Sequence, residues 1–317
     1  MSEHASGAAL ATAAAPPIVS GTPEEIADGV FVVPDGRIPL VPNVGVIVGD
    51  RAALVIDTGL GPRNGALVRA TADELAGGRP LLLTLTHFHP EHGYGAQAFS
   101  DTTIVYNREQ RDELHDKAVG YLHTFRELGA DVAHELEAVE FVDPHIVYDG
   151  AADLDLGGKI VQLRTWGPAH SRGDQAIFLP AEGVLFTGDL VENRFFPIFP
   201  FVPPHDTDVD GGKWLGVLAD LQRFEAKIVV PGHGETGGAG LIATTHEYLS
   251  LLRSETQRLA DEGNDGEAIF GILEPQLRAR YADWDASEPW RIATGIQSFL
   301  ARCAASSPRP ISGANQE

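Results

Sequence analysis

Apolar residues in this chain are grouped in short runs, each closed by Gly, Asp, Asn or Pro. The clearest are Val44–Val48, Ala52–Ile56 and Leu81–Leu85 in the first half, and Ile160–Arg164, Ala176–Leu179, Val184–Phe186 and Lys227–Val230 in the second. Runs this short, rich in Val, Ile and Leu and bounded by turn residues, predict buried β-strands. Weaker runs at Ile26–Val33, Thr103–Tyr106, Ile146–Tyr148 and Ala152–Leu156 add further strands. Between them the apolar spacing changes to that of a helix. Arg63–Leu75, Asn107–Val139, Lys213–Arg223 and Gly240–Asp261 carry it, and Gly95–Phe99 reads as a short helix. Glu267–Ala304 is helical with breaks expected at Pro275 and Pro289. Two strand-rich halves with interspersed helices predict an α/β protein of two mixed sheets facing each other, with helices outside.

Composition narrows this picture. The 317 residues are 43% hydrophobic and 21% charged, which suits a globular protein. Asp and Glu outnumber Lys and Arg by 45 to 23, a formal charge of −22. That balance argues against nucleic acid or an anionic membrane as partner, and leaves a small-molecule substrate. Residues 1–20 are rich in Ala, Ser and Pro but lack Lys and Arg, so they do not read as a secretory signal. No run approaches the ~18 apolar residues of a membrane span. A cytoplasmic protein is expected. The single cysteine, Cys303, rules out an intramolecular disulfide and limits any metal site in the main motifs to nitrogen and oxygen ligands.

The candidate chemistry lies at the ends of the predicted strands. Leu81–Leu85 runs into His87-Phe88-His89-Pro90-Glu91-His92, which places three histidines and a carboxylate in six residues. Ala169-His170-Ser171-Arg172-Gly173-Asp174, Gly188-Asp189 and Pro231-Gly232-His233 each follow another apolar run, and Ile56-Asp57-Thr58-Gly59 follows a fourth. A strand end fixes the backbone while the loop beyond it lets side chains converge. Imidazole with carboxylate suits zinc, iron or manganese. Asp57 is placed either to orient a ligand histidine or to cap a turn, and Asp174, four residues after His170, to do similar work; Thr86 and Ser171 are alternatives.

Taken in order, these motifs resemble those of the metallo-β-lactamase superfamily over about residues 29–246. The resemblance implies a four-layer αβ/βα sandwich with the site on one edge between the sheets. It implies a catalytic domain over 26–246; composition and spacing add a disordered tail over 1–25, a helical insertion at 107–140, a helical extension over 247–304, and a second tail over 305–317. It also implies that His87, His89 and His170 hold one metal, that His92 and His233 hold a second, and that Asp189 bridges them as in the glyoxalase II and lactonase branches. Two zinc ions per chain are expected, with iron or manganese as the alternative. Glu91 departs from the pattern, since the family usually carries Asp there. One extra methylene leaves three readings: a displaced second metal, a catalytic base, or a single-metal enzyme.

The implied activity is hydrolysis of an ester, thioester, lactone or lactam by hydroxide held among these ligands, with Glu91 and Asp189 as the catalytic carboxylates. No Gly-x-Ser-x-Gly elbow is present to supply a protein nucleophile. A mononuclear iron dioxygenase of the same fold is the rival activity. The segment Asn193–Phe201, with four Phe and two Pro, follows Asp189 and is expected to wall the site. Tyr94, Trp166, Arg194, Phe195 and Phe196 are therefore the candidate substrate contacts, and an apolar loop at the site edge would favour a homodimer. His115, His123, His134, His145 and His246 read as surface or packing residues, and His205 as a weaker candidate.

Overall fold

The computed structural model describes residues 16–200 and 207–306, with side chains described as far as residue 301. Its first sheet holds β1 (Glu24–Ala27), β2 (Val30–Val33), β3 (Val44–Val48), β4 (Ala53–Ile56), β5 (Leu81–Thr84), β6 (Thr103–Asn107) and β7 (Ile146–Tyr148), in chain order. The second holds β8 (Ala151–Asp155), β9 (Ile160–Thr165), β10 (Gln175–Leu179), β11 (Val184–Gly188) and β12 (Ile228–Pro231), also in chain order. Strands β4 to β7 run parallel, as do β11 and β12. Parallel neighbours need crossovers, and these are helices. They include α1 (Gly61–Ala76), α2 (Pro90–Gly93), α3 (Arg108–Arg126), α4 (Ala130–Glu135) and α5 (Gly211–Gln222). The chain then adds α6 (Gly240–Asp261), α7 (Gly266–Arg280) and α8 (Trp290–Ser306).

The strand alternation sorts side chains into layers. In the first sheet, Ile47, Leu54 and Ile56 face inward to meet Ile177, Leu179, Val184 and Phe186 of the second. Their neighbours Val46, Ala53 and Val55 face outward onto α1 and α3. Phe178, Leu185 and Val229 face the other way, onto the layer built from α5 to α8. The result is helix, sheet, sheet, helix: the α/β four-layer sandwich expected from the pattern. The sheets approach so closely that a Cβ on Gly45 would lie 2.6 Å from the Phe186 ring.

Three local expectations change. The run Ile26–Val33 is two strands, because Gly29 at φ +63° turns the chain back at that point. Pro275 does not break α7. Ile269, Leu273 and Leu277 bury one face of that helix, and such burial, about 1.5–3 kcal/mol per side chain, offsets a lost backbone hydrogen bond. Residues 16–23, assigned above to a disordered tail, are partly held in place. Val19 is buried and its N–H donates to Asn64 Oδ1 at 2.7 Å, while Asn64 Nδ2 donates to the Pro17 carbonyl at 2.9 Å. Residues 1–15 and 307–317 lie outside the described residues. Among the described residues, no helix is long and apolar enough to cross a membrane.

Candidate metal centre

Parallel register brings the strand ends together. Ile56 pairs with Thr84, which sets Asp57 beside the loop after β5, and Gly188 pairs with Pro231, which sets Asp189 beside Gly232. The loop after β5 is shorter in free backbone than its motif suggests. Pro90 starts the one-turn helix α2, so Glu91 and His92 are helical residues and His89 is the residue that precedes the turn.

Asp57 organises this loop. It has φ 66°, a left-handed conformation that a non-glycine residue holds only when its surroundings impose it. Its carboxylate accepts hydrogen bonds from Thr86 N at 2.7 Å and Thr86 Oγ1 at 2.8 Å, and meets His92 Nδ1 at 2.9 Å. With that nitrogen occupied, His92 presents Nε2 to the centre. His87 Nδ1 lies 3.2 Å from Thr86 Oγ1, whose own proton goes to Asp57, so His87 also presents Nε2. Helix α3 holds the neighbouring loop. Its buried Gln110 donates to the Leu85 carbonyl at 2.9 Å, and its buried Glu113 accepts from Gly173 N at 3.0 Å.

Two groups of ligand-capable atoms result. The first is His87, His89 and His170; the second is Glu91, His92, Asp189 and His233. In the first, His89 Nδ1 lies 2.9 Å from His87 Nε2 and 3.1 Å from His170 Nε2. Asp189 stands between the groups. Its Oδ2 is 3.9 Å from His87 Nε2 and 3.7 Å from His170 Nε2. Its Oδ1 is 3.5 Å from His92 Nε2 and 3.7 Å from His233 Nε2. All seven residues are buried.

These residues fit a bound metal. Both Asp189 oxygens, Glu91 Oε2 and His92 Nε2 are buried without a hydrogen-bond partner. Leaving such atoms unmatched costs about 1–3 kcal/mol each. Imidazole nitrogens at ~2.0–2.1 Å from a tetrahedral ion would stand slightly over 3 Å apart, close to the spacing seen in the first group. The electrostatics of His87 and His89 agree. Burial, aided by the neighbouring histidines, pushes His87 and His89 well below the usual histidine range, so both stay neutral and keep a lone pair. Burial also raises Glu91. Burial alone would raise Asp189 too, but the surrounding histidines, His233 and His92 first, hold it well below the usual carboxylate range. Burial opposes a charge on His92, yet Asp189 and Asp57 outweigh it and raise that group.

The remaining predicted residues are placed differently. Asp174 accepts from Ser171 N at 2.8 Å and Ser171 Oγ at 2.7 Å, and so fastens the loop that carries His170. The partner of His170 Nδ1 is the Ile198 carbonyl at 3.0 Å. Tyr94 is buried and donates to the Ala118 carbonyl at 2.6 Å, beneath α3, which corrects its assignment as a substrate contact. Phe196 is corrected likewise. It is buried among Tyr248, Tyr281 and Trp284 in the outer helical layer. The guanidinium groups of Arg37 and Arg291 lie over the Phe195 ring, at 4.7 Å and 5.2 Å from its centre. Trp166 packs against Phe224, and Arg194 pairs with Asp283 at 3.4 Å. A Phe-rich segment is apolar enough to serve either a site wall or a core, and here the helical extension needs the core. Phe201 and His205 lie outside the described residues. His115, His123 and His134 form exposed pairs with Asp143, Glu127 and Glu137. Sequence reasoning did not single out Tyr121, whose ring meets His89 edge-on at 5.6 Å. Its position on α3 offered no motif.

Comparison with known proteins gives one consistent result. The family model described as "Metallo-beta-lactamase superfamily" matches residues 37–233, a span that contains all seven residues of the two groups. The acyl-coenzyme A thioesterase MBLAC2 of Homo sapiens is 26% identical over 222 residues, covering 66% of this chain and 78% of that protein. The linear primary-alkylsulfatase of a Pseudomonas species is 22% identical, covering 75% of this chain and 51% of that protein. Among solved structures, a metallo-beta-lactamase from Pontibacter korlensis superposes with a TM-score of 0.58 at 19% identity, over 72% of this chain and 98% of that one. The sec-alkylsulfatase Pisa1 from a Pseudomonas species gives 0.67 at 14% identity, over 89% of this chain and 50% of that one.

Proposed function

The chain belongs to the metallo-beta-lactamase superfamily, and from that premise we propose that it is a binuclear zinc hydrolase that opens an ester or thioester carbonyl in a small, largely apolar substrate. The observation that carries this reading is Asp189, a buried carboxylate with both oxygens unpaired, each facing a separate set of ligand-capable side chains. In this proposal His87, His89 and His170 would hold one metal, and Glu91, His92, Asp189 and His233 would hold a second.

When bound, the metals supply Lewis acidity and a water that ionises near neutral pH. The side chains do the rest. Asp189, kept ionised by the histidines around it, offsets the repulsion between two dications. Asp57 keeps His92 oriented through Nδ1. Glu91 acts as a ligand: its Oε2 is buried, unpaired and grouped with His92, Asp189 and His233. The apolar wall of the substrate site is assigned to Tyr121 of α3, beside His89, in place of Tyr94 and Phe196. The acyl-coenzyme A thioesterase among the relatives favours a thioester as the first substrate to try.

The test is metal content by mass spectrometry on protein purified without added metal, with turnover of acyl thioesters, esters and lactones before and after chelation. About two zinc ions per chain, with turnover lost on chelation and restored by zinc, is the expected outcome. About one iron per chain with oxygen consumption would overturn it in favour of a dioxygenase.

A further inference from the structure

His170 depends on a different part of the molecule from His87 and His92. Asp57 and Thr86, both at the ends of first-sheet strands, support His92 and His87. His170 is instead held through the Ile198 carbonyl, on the loop that follows β11. That loop is fastened to the C-terminal helix α8. Glu192 has a fully buried side chain, and its Oε2 accepts from Ile198 N at 3.2 Å. Its Oε1 pairs with Arg291 of α8 at 3.1 Å. The same Arg291 nitrogen donates to the Phe196 carbonyl at 3.1 Å, and Arg291 Nε donates to Glu288 at 2.7 Å. The guanidinium also covers the Phe195 ring at 5.2 Å. Ile198 is therefore pinned at its N–H by Glu192 and at its carbonyl by His170.

A buried ion pair is a poor source of stability, since apolar side chains of similar volume often serve as well or better. Its value here is directional, because it sets the plane in which the Ile198 carbonyl meets an imidazole. We propose that Glu192 and Arg291 are positioning residues for His170, so that α8 sets the metal affinity of the three-histidine group. The inference rests on the reading of His170 as a metal ligand.

The experiment uses full-length protein stripped of metal and titrated with zinc against a chromogenic chelator, with folding checked by circular dichroism. Glu192→Ala is expected to weaken one of the two zinc equivalents by about 10–100-fold, the usual effect of losing a group that orients a ligand. Glu192→Gln keeps an acceptor for Ile198 N and should recover most of that loss. Arg291→Met keeps the bulk of the stem and should weaken the same equivalent. Arg280→Ala on α7, which breaks an exposed pair with Glu247 of α6, should leave both unchanged. Cobalt substitution adds a spectroscopic readout, since Glu192→Ala should alter the absorption of one bound ion only. A folded Glu192→Ala with both equivalents at wild-type affinity overturns the inference. If that variant does not fold, the same result with Arg291→Met overturns it. Wild-type protein that takes up zinc but hydrolyses nothing would defeat only the proposed activity. Wild-type protein that takes up no metal would defeat both.

Discussion

Gly232 lies against Asp189 so closely that a Cβ placed on it would overlap Asp189 Oδ1. The parallel pairing of Gly188 with Pro231 causes this approach, since it sets the two strand ends side by side at the centre. Gly232→Ala must therefore move Asp189 or the β12 end. A shift near 1 Å at such a carboxylate is expected to lower kcat/KM by about 100-fold. Steady-state kinetics on a variant with a wild-type circular dichroism spectrum checks this. Unchanged kinetics would show that the approach of Gly232 to Asp189 does not set the geometry of the reacting groups.

Asp57 supports the centre from behind. Asn tolerates the left-handed backbone at that position and keeps one acceptor oxygen, but loses the charge opposite His92. Asp57→Asn should fold normally and bind zinc at the proposed site of His92 about 10–100-fold more weakly. Equal affinity in a competition titration would leave Asp57 only its backbone role.

Asp174 predicts a pH dependence of stability. Burial raises its carboxyl to about 8. The folded state therefore holds a proton that the unfolded state has already released, between roughly pH 4 and 8. The stabilising contribution of this proton is complete below the unfolded pKa and is lost as pH rises through about 8. The melting temperature of Asp174→Asn, followed from pH 5 to 9, should fall less steeply than that of the wild type. Parallel curves would show that Asp174 titrates normally.

Tyr121 and Tyr94 test the proposed substrate wall. Tyr121→Ala should raise KM for apolar acyl substrates while changing kcat little, because its contact with His89 is an edge-on ring contact. Tyr94→Phe should leave both constants alone and cost about 0.5–1.5 kcal/mol of stability, the worth of its hydrogen bond to Ala118. The opposite pattern would return Tyr94 to the site and remove Tyr121.

Much of this molecule was written in short-range pattern. Turn-bounded apolar runs such as Val44–Val48 and Val184–Phe186 form strands because short apolar runs between turn residues act locally, and α6 follows its predicted bounds for a similar reason. The ligand-capable residues were legible too, because a histidine or carboxylate just past a strand end has few other uses. Tertiary structure decided the rest. Which partner orients each histidine depends on pairing between strands distant in sequence, and the partner of His170 is a backbone carbonyl, which any residue type would supply. The fate of Phe195 and Phe196 turned on α6 to α8, whose apolar faces claimed them for packing. Sequence alone determined which side chains could meet at the centre; the three-dimensional packing determined what holds them there, because hydrogen-bond direction and close approach belong to the folded arrangement and to no single residue.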